Sequence, residues 1–472
     1  MTERVTTALR VIRVVAERVD PTLAIAVGAI AQELGCTLST TSRLCSELEA
    51  AGYLERGDGY GAYRIGRRAI RLSGSASAPF ARSVRYALTL AAQQTGETVS
   101  LAAGDEKAMT IVASVASAWT LHSPAEVGEV ITGTGSSILR ARALHGSGSD
   151  GDDAGDIPFV ESTVGMSVEV AAPVLSPAGD CVAVVAVRLP ANRAEQNLAR
   201  AKRAVVAAKR SIERTLEEWL NEQGQTRTAD ASGETISALD ATFRILEHLA
   251  AGHDSIAGTA RAAGLRPDRT TRLIESCRRA GFVWASHDRS RFHVSWLVHG
   301  WYRAAAAPTM VERAKPLVAE ASNATRTCGF ITILKGMRSY TLVEELEMAG
   351  AGLWMAPWLG RPHPIIGSDG GPTLVMDLTA DELRLLFPAR HTPQELEVFL
   401  KRVRRVVRDG VLSMEAFDGG GMISISAPVR DASGTVVAAA CLVGTTDYMQ
   451  ANSVAFENET RELAVRVSAL LR

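Results

Sequence analysis

Internal repetition constrains this chain more than any other feature, because each copy of a repeat must itself be a foldable unit. The run Ile30-Ala31-Gln32-Glu33-Leu34-Gly35-Cys36, with Thr41-Ser42-Arg43-Leu44 and Ala51-Gly52-Tyr53-Leu54 after it, returns without a gap further along. Its second occurrence is Thr259-Ala260-Arg261-Ala262-Ala263-Gly264-Leu265, Thr270-Thr271-Arg272-Leu273 and Ala280-Gly281-Phe282-Val283. Later, Val170-Ala171-Ala172-Pro173-Val174 returns as Ile425-Ser426-Ala427-Pro428-Val429, in the same order. Between the copies, the polar stretch 221–234 has no apolar periodicity and reads as a linker. In one interval the copies differ. The first runs through Gly146-Ser147-Gly148-Ser149-Asp150-Gly151-Asp152-Asp153, where the second carries a helical pattern over 379–409. The later domain of the first copy therefore reads as shortened.

With 472 residues, 46% hydrophobic and 22% charged, the chain has the balance of a globular protein of several domains. The longest apolar stretches, 181–187 and 436–443, fall far short of the ~20 residues that span a bilayer and read as buried strands. Thr2, Glu3, Arg4 and Arg10 interrupt any leader-like start, so a cytoplasmic location is expected, with no membrane partner. The six cysteines are scattered, with neither a CxxC pair nor histidine at zinc spacing, and are expected to be free thiols. No metal and no cofactor is expected. There is no GxSxG elbow, HExxH, P-loop or dinucleotide fingerprint, so the chain does not read as an enzyme.

In the first copy, Val5, Leu9, Ile12, Val15 and Val19 recur at helical spacing, and Pro21 places the end of that helix near Asp20. A short helix over about 27–34 follows, then Gly35 as a tight turn. A third helix comes next, with Leu38, Leu44, Leu48 and Ala51 on its inner face. Around Gly57-Asp58-Gly59-Tyr60-Gly61 two alternating segments read as a hairpin, the wing of a winged helix-turn-helix. Such a third helix would present Ser39, Thr40, Thr41, Ser42 and Arg43 to a DNA groove, with Arg56, Tyr60 and Arg64 on the wing. The second copy offers Arg266, Arg269, Thr270, Thr271 and Arg272, with Asp268 among them, and Arg289 and Arg291 on its wing. Charge is a weak signal: residues 1–72 hold 10 arginines against 8 carboxylates, and residues 235–300 hold 9 against 6. His287, His293 and His299 lie on the second wing and its exit, where alternation assigns solvent-facing polar positions rather than metal ligands.

These segments together resemble the IclR family of bacterial regulators. The resemblance rests on Ala31-Gln32-Glu33-Leu34-Gly35, Ser39-Thr40-Thr41-Ser42-Arg43-Leu44, Leu48-Glu49-Ala50-Ala51-Gly52-Tyr53 and Tyr63-Arg64-Ile65-Gly66. It extends through Gly133-Thr134-Gly135-Ser136-Ser137-Ile138-Leu139 and Ala172-Pro173-Val174, and in the second copy through Gly367-Ser368-Asp369-Gly370-Gly371-Pro372-Thr373-Leu374. It implies an α+β fold, a winged helix-turn-helix followed by a GAF-like effector domain with an antiparallel sheet flanked by helices, here in tandem duplication. The expected division is 1–74, first winged helix-turn-helix; 75–220, first and shortened effector domain; 221–234, linker; 235–302, second winged helix-turn-helix; and 303–472, second effector domain.

In the second effector domain Trp354, Met355, Trp358, Met422 and Ile425 suit the apolar walls of a pocket. By resemblance, its polar groups would be Asp369 and Gly370 in the glycine-rich loop, Asp418 before the Ala-Pro-Val strand, and Cys441 on the next strand. The corresponding strand positions in the first copy, Ala186 and Arg188, make a polar pocket there less expected. The stripe Leu198, Ala201, Val205, Ala208, Ile212, Leu216 and Trp219 on a long helix reads as packing. The functional expectation is a transcriptional regulator, a repressor by preference, that binds a double-stranded DNA operator as a covalent pseudo-dimer. A small-molecule effector, with small carboxylates and aromatic acids as candidates, would set its DNA affinity. A ligand-independent architectural DNA binder or corepressor platform is the alternative. Whether the tandem chain pairs again into a homodimer stays open.

Overall fold

The computed structural model describes residues 2–144, 159–221, 236–348, 353–387, 391–416 and 420–472. Linker residues 222–234, the run 146–153 and Asp418 lie outside the described residues. The chain divides into two compact units, 1–305 and 306–472. The second helix-turn-helix thus belongs to the first unit, although the sequence groups it with the effector domain that follows it.

The first unit opens with helices Thr2–Ala16, Val27–Leu34 and Leu38–Ala50 and the hairpin Leu54–Arg56/Ala62–Ile65. The first helix stops at Ala16 rather than near Asp20, and the Asp20 carboxylate instead closes a turn by accepting the Thr22 N–H at 2.9 Å. Gly35 sits at φ 62°, where a side chain would be strained, and its N–H closes the preceding helix. A 29-residue helix, Arg67–Thr95, then runs straight across the division expected at residue 74. Its apolar face and that of the 31-residue helix Ala191–Asn221 cover one side of a six-stranded antiparallel sheet. Leu198, Ala201, Val205, Ala208, Ile212, Leu216 and Trp219 all pack there, as their spacing indicates. The second helix-turn-helix, Ala238–Ala251, Ile256–Ala263 and Pro267–Arg279 with hairpin Val283–Ala285/Phe292–Val294, docks on this unit. Tyr53 stacks on Phe243 at 3.9 Å, and Arg68 pairs with Glu247 at 2.6 Å. Arg13 donates to the Ala280 carbonyl at 3.1 Å.

The strands of the first sheet lie in the order Val130–Ile131, Met109–Val115, Thr98–Gly104, Cys181–Pro190, Ser167–Leu175, Val160–Val164. In the second unit the order is Pro362–Pro364, Arg338–Glu345, Cys328–Lys335, Val436–Thr445, Met422–Arg430, Leu412–Glu415. Numbered along the chain within each sheet, the two orders are the same. Their irregularities also coincide. Bulges fall at Leu101/Ala102 and Val174/Leu175 in one sheet and at Ile331/Thr332 and Val429/Arg430 in the other. Because a bulge flips the inward-facing set, its position decides which residues reach each face. In the second unit helices Lys315–Thr325 and Ser453–Leu470 flank the face bearing Ile331, Ile425, Ala440 and Leu442. The opposite face carries Phe330, Cys441 and Val443, against which Met355, Trp358 and Met422 pack. Ile425, expected in the pocket wall, therefore points to the helices instead.

Candidate nucleic-acid interface and ligand pockets

Thr37 caps the first reading helix, Leu38–Ala50, by accepting the Thr40 N–H at 3.3 Å. Ser39, Ser42 and Arg43 are exposed on its outer face, while Thr40 is half-buried with its hydroxyl 2.9 Å from that of Thr37. Two expectations for this helix are corrected. Thr41 is buried, its hydroxyl donating to the Thr37 carbonyl at 3.1 Å, because it shares the inner stripe with Leu44 and Leu48. Leu38, placed on the inner face by its spacing, is 57% exposed because it stands in the first turn, beyond the core.

The second reading helix, Pro267–Arg279, repeats this geometry with different chemistry. Arg266, Thr271 and Arg272 are exposed, and Thr270 is buried, donating to the Arg266 carbonyl at 3.1 Å, so it too is removed from the outer face. Half-buried Arg269 is turned back onto the Ile236 carbonyl at 2.7 Å. Asp268 and Glu275 are exposed where the first helix has Ser39 and Ser46. On the first wing, Tyr60 is fully exposed at the tip, and Arg56 pairs with Glu49 at 2.9 Å. Arg64 is half-buried, 3.6 Å from Glu55. On the second wing, Arg289 is exposed, and Arg291 lies 3.0 Å from His253 Nδ1.

Of the three wing histidines only His287 meets solvent. His293 and His299 are buried, contrary to the alternation argument, because the wing's exit is packed rather than free. His293 lies edge-on to Trp219 and against Trp284, and His299 stacks with Phe80 and Trp296. Burial pushes His293 down to about 4 and His299 well below the ordinary imidazole value, so both are neutral near pH 7. Among the described residues no cluster of three or more His, Cys, Asp or Glu is arranged to hold a metal ion. All six cysteines are free. No helix among the described residues is long and apolar enough to cross a membrane.

Each sheet carries a pocket at the N-terminal end of the short helix that follows its third strand. In the second unit Phe330, Thr332, Met355, Trp358, His363, Ser368, Asp369, Gly370 and Cys441 enclose only about 30 Å³. Trp358 stacks on His363 at 4.3 Å. The Ser368 hydroxyl is buried there without a hydrogen-bond partner. Gly370 has an ordinary φ of −89°, but a Cβ on it would stand 2.5 Å from Thr332 Oγ1 and 2.9 Å from Ala439 Cβ. Close packing is thus what this position requires. Of the expected pocket residues, Met355, Trp358, Asp369, Gly370 and Cys441 come together here. Met422 packs nearby in the same apolar cluster, while Trp354 is 71% exposed and lines no part of the pocket.

The first unit carries a much larger cleft, about 730 Å³, which the sequence reading gave little weight. Glu126, Glu129, Val130, Val164, Ser136, Glu169 and Arg188 line it. Glu169 is 2% exposed and accepts from Ser136 Oγ at 2.7 Å, Ser137 Oγ at 2.9 Å, Ile138 N at 3.3 Å and Arg188 Nε at 2.8 Å. Burial alone would raise its pKa, but these donors outweigh it and hold the carboxyl below its ordinary value. The signal in the sequence was Glu169 itself, a lone acid in the apolar strand Ser167–Leu175.

Comparison with known proteins bears on the first domain. Residues 5–58 match the IclR helix-turn-helix domain. No curated protein matches the chain. Among solved structures, an IclR-family transcriptional regulator from Rhodococcus sp. is 19% identical, covering 51% of this chain and 100% of its own, with a TM-score of 0.38. One from Silicibacter sp. TM1040 is 16% identical, covering 50% and 96%, with a TM-score of 0.38. An IclR homolog from Microbacterium hydrocarbonoxydans, solved with 4-hydroxybenzoate, is 19% identical, covering 50% and 99%, with a TM-score of 0.31. The three-helix geometry over the matched span agrees with the domain match, and residues 5–58 of this chain are an IclR-family helix-turn-helix domain.

Proposed function

We propose that the chain is a ligand-responsive transcriptional regulator, a repressor by preference, made of two fused regulator units that act as a covalent pseudo-dimer on double-stranded DNA. The observation that carries the DNA-binding reading is the IclR helix-turn-helix at residues 5–58 with Ser39, Ser42 and Arg43 on the outer face of its third helix. Short hydroxyls and an arginine there reach phosphates and base edges without holding the helix away from the groove. The duplication reading is supported by the matching strand orders and the matching bulges of the two sheets. On it, the domains are 1–74, 75–220, 235–302 and 303–472, with the linker at 221–234. The second pocket, around Trp358, Asp369, Gly370 and Cys441, is the effector site, and its unpartnered Ser368 hydroxyl is a ready polar anchor.

Binding to a labelled fragment from upstream of the chain's own reading frame, followed by anisotropy at several salt concentrations, tests the DNA reading. Tight, salt-dependent binding that prefers this fragment over random DNA is expected. Equal affinity for both would overturn it. The small volume of the second pocket favours one alternative, a ligand-independent architectural DNA binder. Calorimetry with small carboxylates and aromatic acids decides between them, since an architectural protein gives no heat with any of them.

A further inference from the structure

In the first unit Glu169 and Arg188 are direct cross-strand partners, and at the matching register the second unit has Ser424 opposite Val443. The helix that ends the glycine-rich turn is capped by Ser136 in the first unit and by Gly370 in the second. Four donors therefore converge in the first unit: the Ser136 and Ser137 hydroxyls, the Ile138 N–H and the Arg188 guanidinium. Hydroxyls and a guanidinium meeting at one point are the equipment for holding a carboxylate. Here the chain supplies the carboxylate itself. The guanidinium is engaged further, since Arg188 Nη1 also donates to the Pro124 carbonyl at 2.8 Å and to Glu129 at 3.1 Å. Among the described residues lining the cleft, Arg188 is the one cation, against Glu126, Glu129 and Glu169. An incoming acid would meet uncompensated negative charge, with the four converging donors already engaged by Glu169.

We propose that Glu169 fills, from within the chain, the carboxylate subsite of the first effector domain, so that this domain is permanently occupied and only the second can answer an acid ligand. The inference rests on reading both sheets as effector domains. It assigns Glu169 as the internal ligand and Arg188 with Ser136 and Ser137 as the residues that bind it. The second unit has none of these side chains at the matching positions, and its pocket is correspondingly uncharged on the strand side.

The test removes the internal acid and supplies a free one. Glu169→Ser, which installs the residue the second unit carries at this register, is compared with wild type and with the Glu169→Ser, Arg188→Ala double variant in thermal unfolding, with acetate or chloride at equal ionic strength. Acetate is expected to raise the Tm of Glu169→Ser by a few degrees beyond its effect on the other two, because a ligand that binds only the folded state stabilises it. An equal acetate effect on all three, or none on any, would overturn the proposal. Should Glu169→Ser not fold in chloride, refolding is repeated in acetate: recovery of soluble protein supports the proposal, and failure in both salts overturns it. The readout involves no DNA, so loss of the regulator reading and loss of this inference are separable.

Discussion

At the scale of single residues, the Glu169–Arg188 pair, like Glu97–Arg193, holds a carboxylate almost wholly out of water. A carboxylate with 2% exposure is tolerated only while its donors are in place. Arg188→Ala leaves that charge unpaired and is expected to cost about 3–5 kcal/mol in urea unfolding, whereas replacing both partners by apolar residues of similar volume should cost much less. Because the folded-state pKa of Glu169 is depressed, the stability it contributes is present above the ordinary carboxylate range and is lost as pH falls through that range. Gly370→Ala tests the other pocket: with Ala439 Cβ 2.9 Å from the added methyl, a loss of about 1–3 kcal/mol is expected from overpacking. What the sequence disclosed at this scale varied with the residue. Thr41 and Thr270 could have been placed correctly, since each stands three residues before a leucine of the buried stripe, Leu44 and Leu273. Glu169 stood out only as a lone acid in an apolar strand, and its partners were not legible, because its four donors come from the start of helix Ser137–Ala143 and a neighbouring strand and converge through the sheet's register.

At the scale of elements, the two reading helices share a frame and differ in charge. The buried threonine and the αL glycine recur in place, with Gly35 and Gly264 at φ 62° and 67°, whereas the Thr37 side-chain cap of the first helix gives way to Arg266, which makes none. The outer faces diverge, Ser39, Ser42, Arg43 and Ser46 in one against Asp268, Thr271, Arg272 and Glu275 in the other. Carboxylates beside phosphate oppose binding unless guanidinium groups offset them; Glu275 pairs with Arg278 at 2.7 Å, and exposed Arg266 and Arg272 flank Asp268. Arg43→Ala and Arg272→Ala are therefore expected to act unequally in anisotropy titrations, with the larger loss of affinity from Arg43→Ala; equal losses would mean that both heads contact DNA alike. Element types were legible because periodicity and turn residues are local. Bulge positions and the 29-residue continuation of Arg67–Thr95 were not, since packing over the sheet selects them and no local preference does.

At the scale of the whole first unit, the second helix-turn-helix is held by buried aromatic and imidazole rings as well as by the Tyr53–Phe243 stack. Long helix Ala191–Asn221 delivers Trp219 to His253 and His293, and helix Arg67–Thr95 delivers Phe80 to Trp296 and His299. The His293 and His299 rings pack as they do while neutral, which gives this joint a pH dependence opposite in origin to that of Glu169. His293 titrates at about 4 in the fold against 6.5 when unperturbed, so between these values the unfolded chain takes up a proton that the native chain refuses. Stability must then fall as pH drops from 6.5 towards 4, by up to about 1.4 kcal/mol per pH unit for each such histidine, and His299 adds to the slope. Carboxylates held below their ordinary value, Glu169 among them, lose their contribution lower, and comparison with a variant lacking the imidazole separates His293 from raised carboxyls such as Glu17. Urea unfolding across that pH range should show a declining midpoint in the wild type and a shallower decline in His293→Phe, which keeps the ring contacts with Trp219 and Trp284 while removing the titration. If the two slopes coincide, His293 carries its proton in the folded state, and the joint is not the source of the pH dependence.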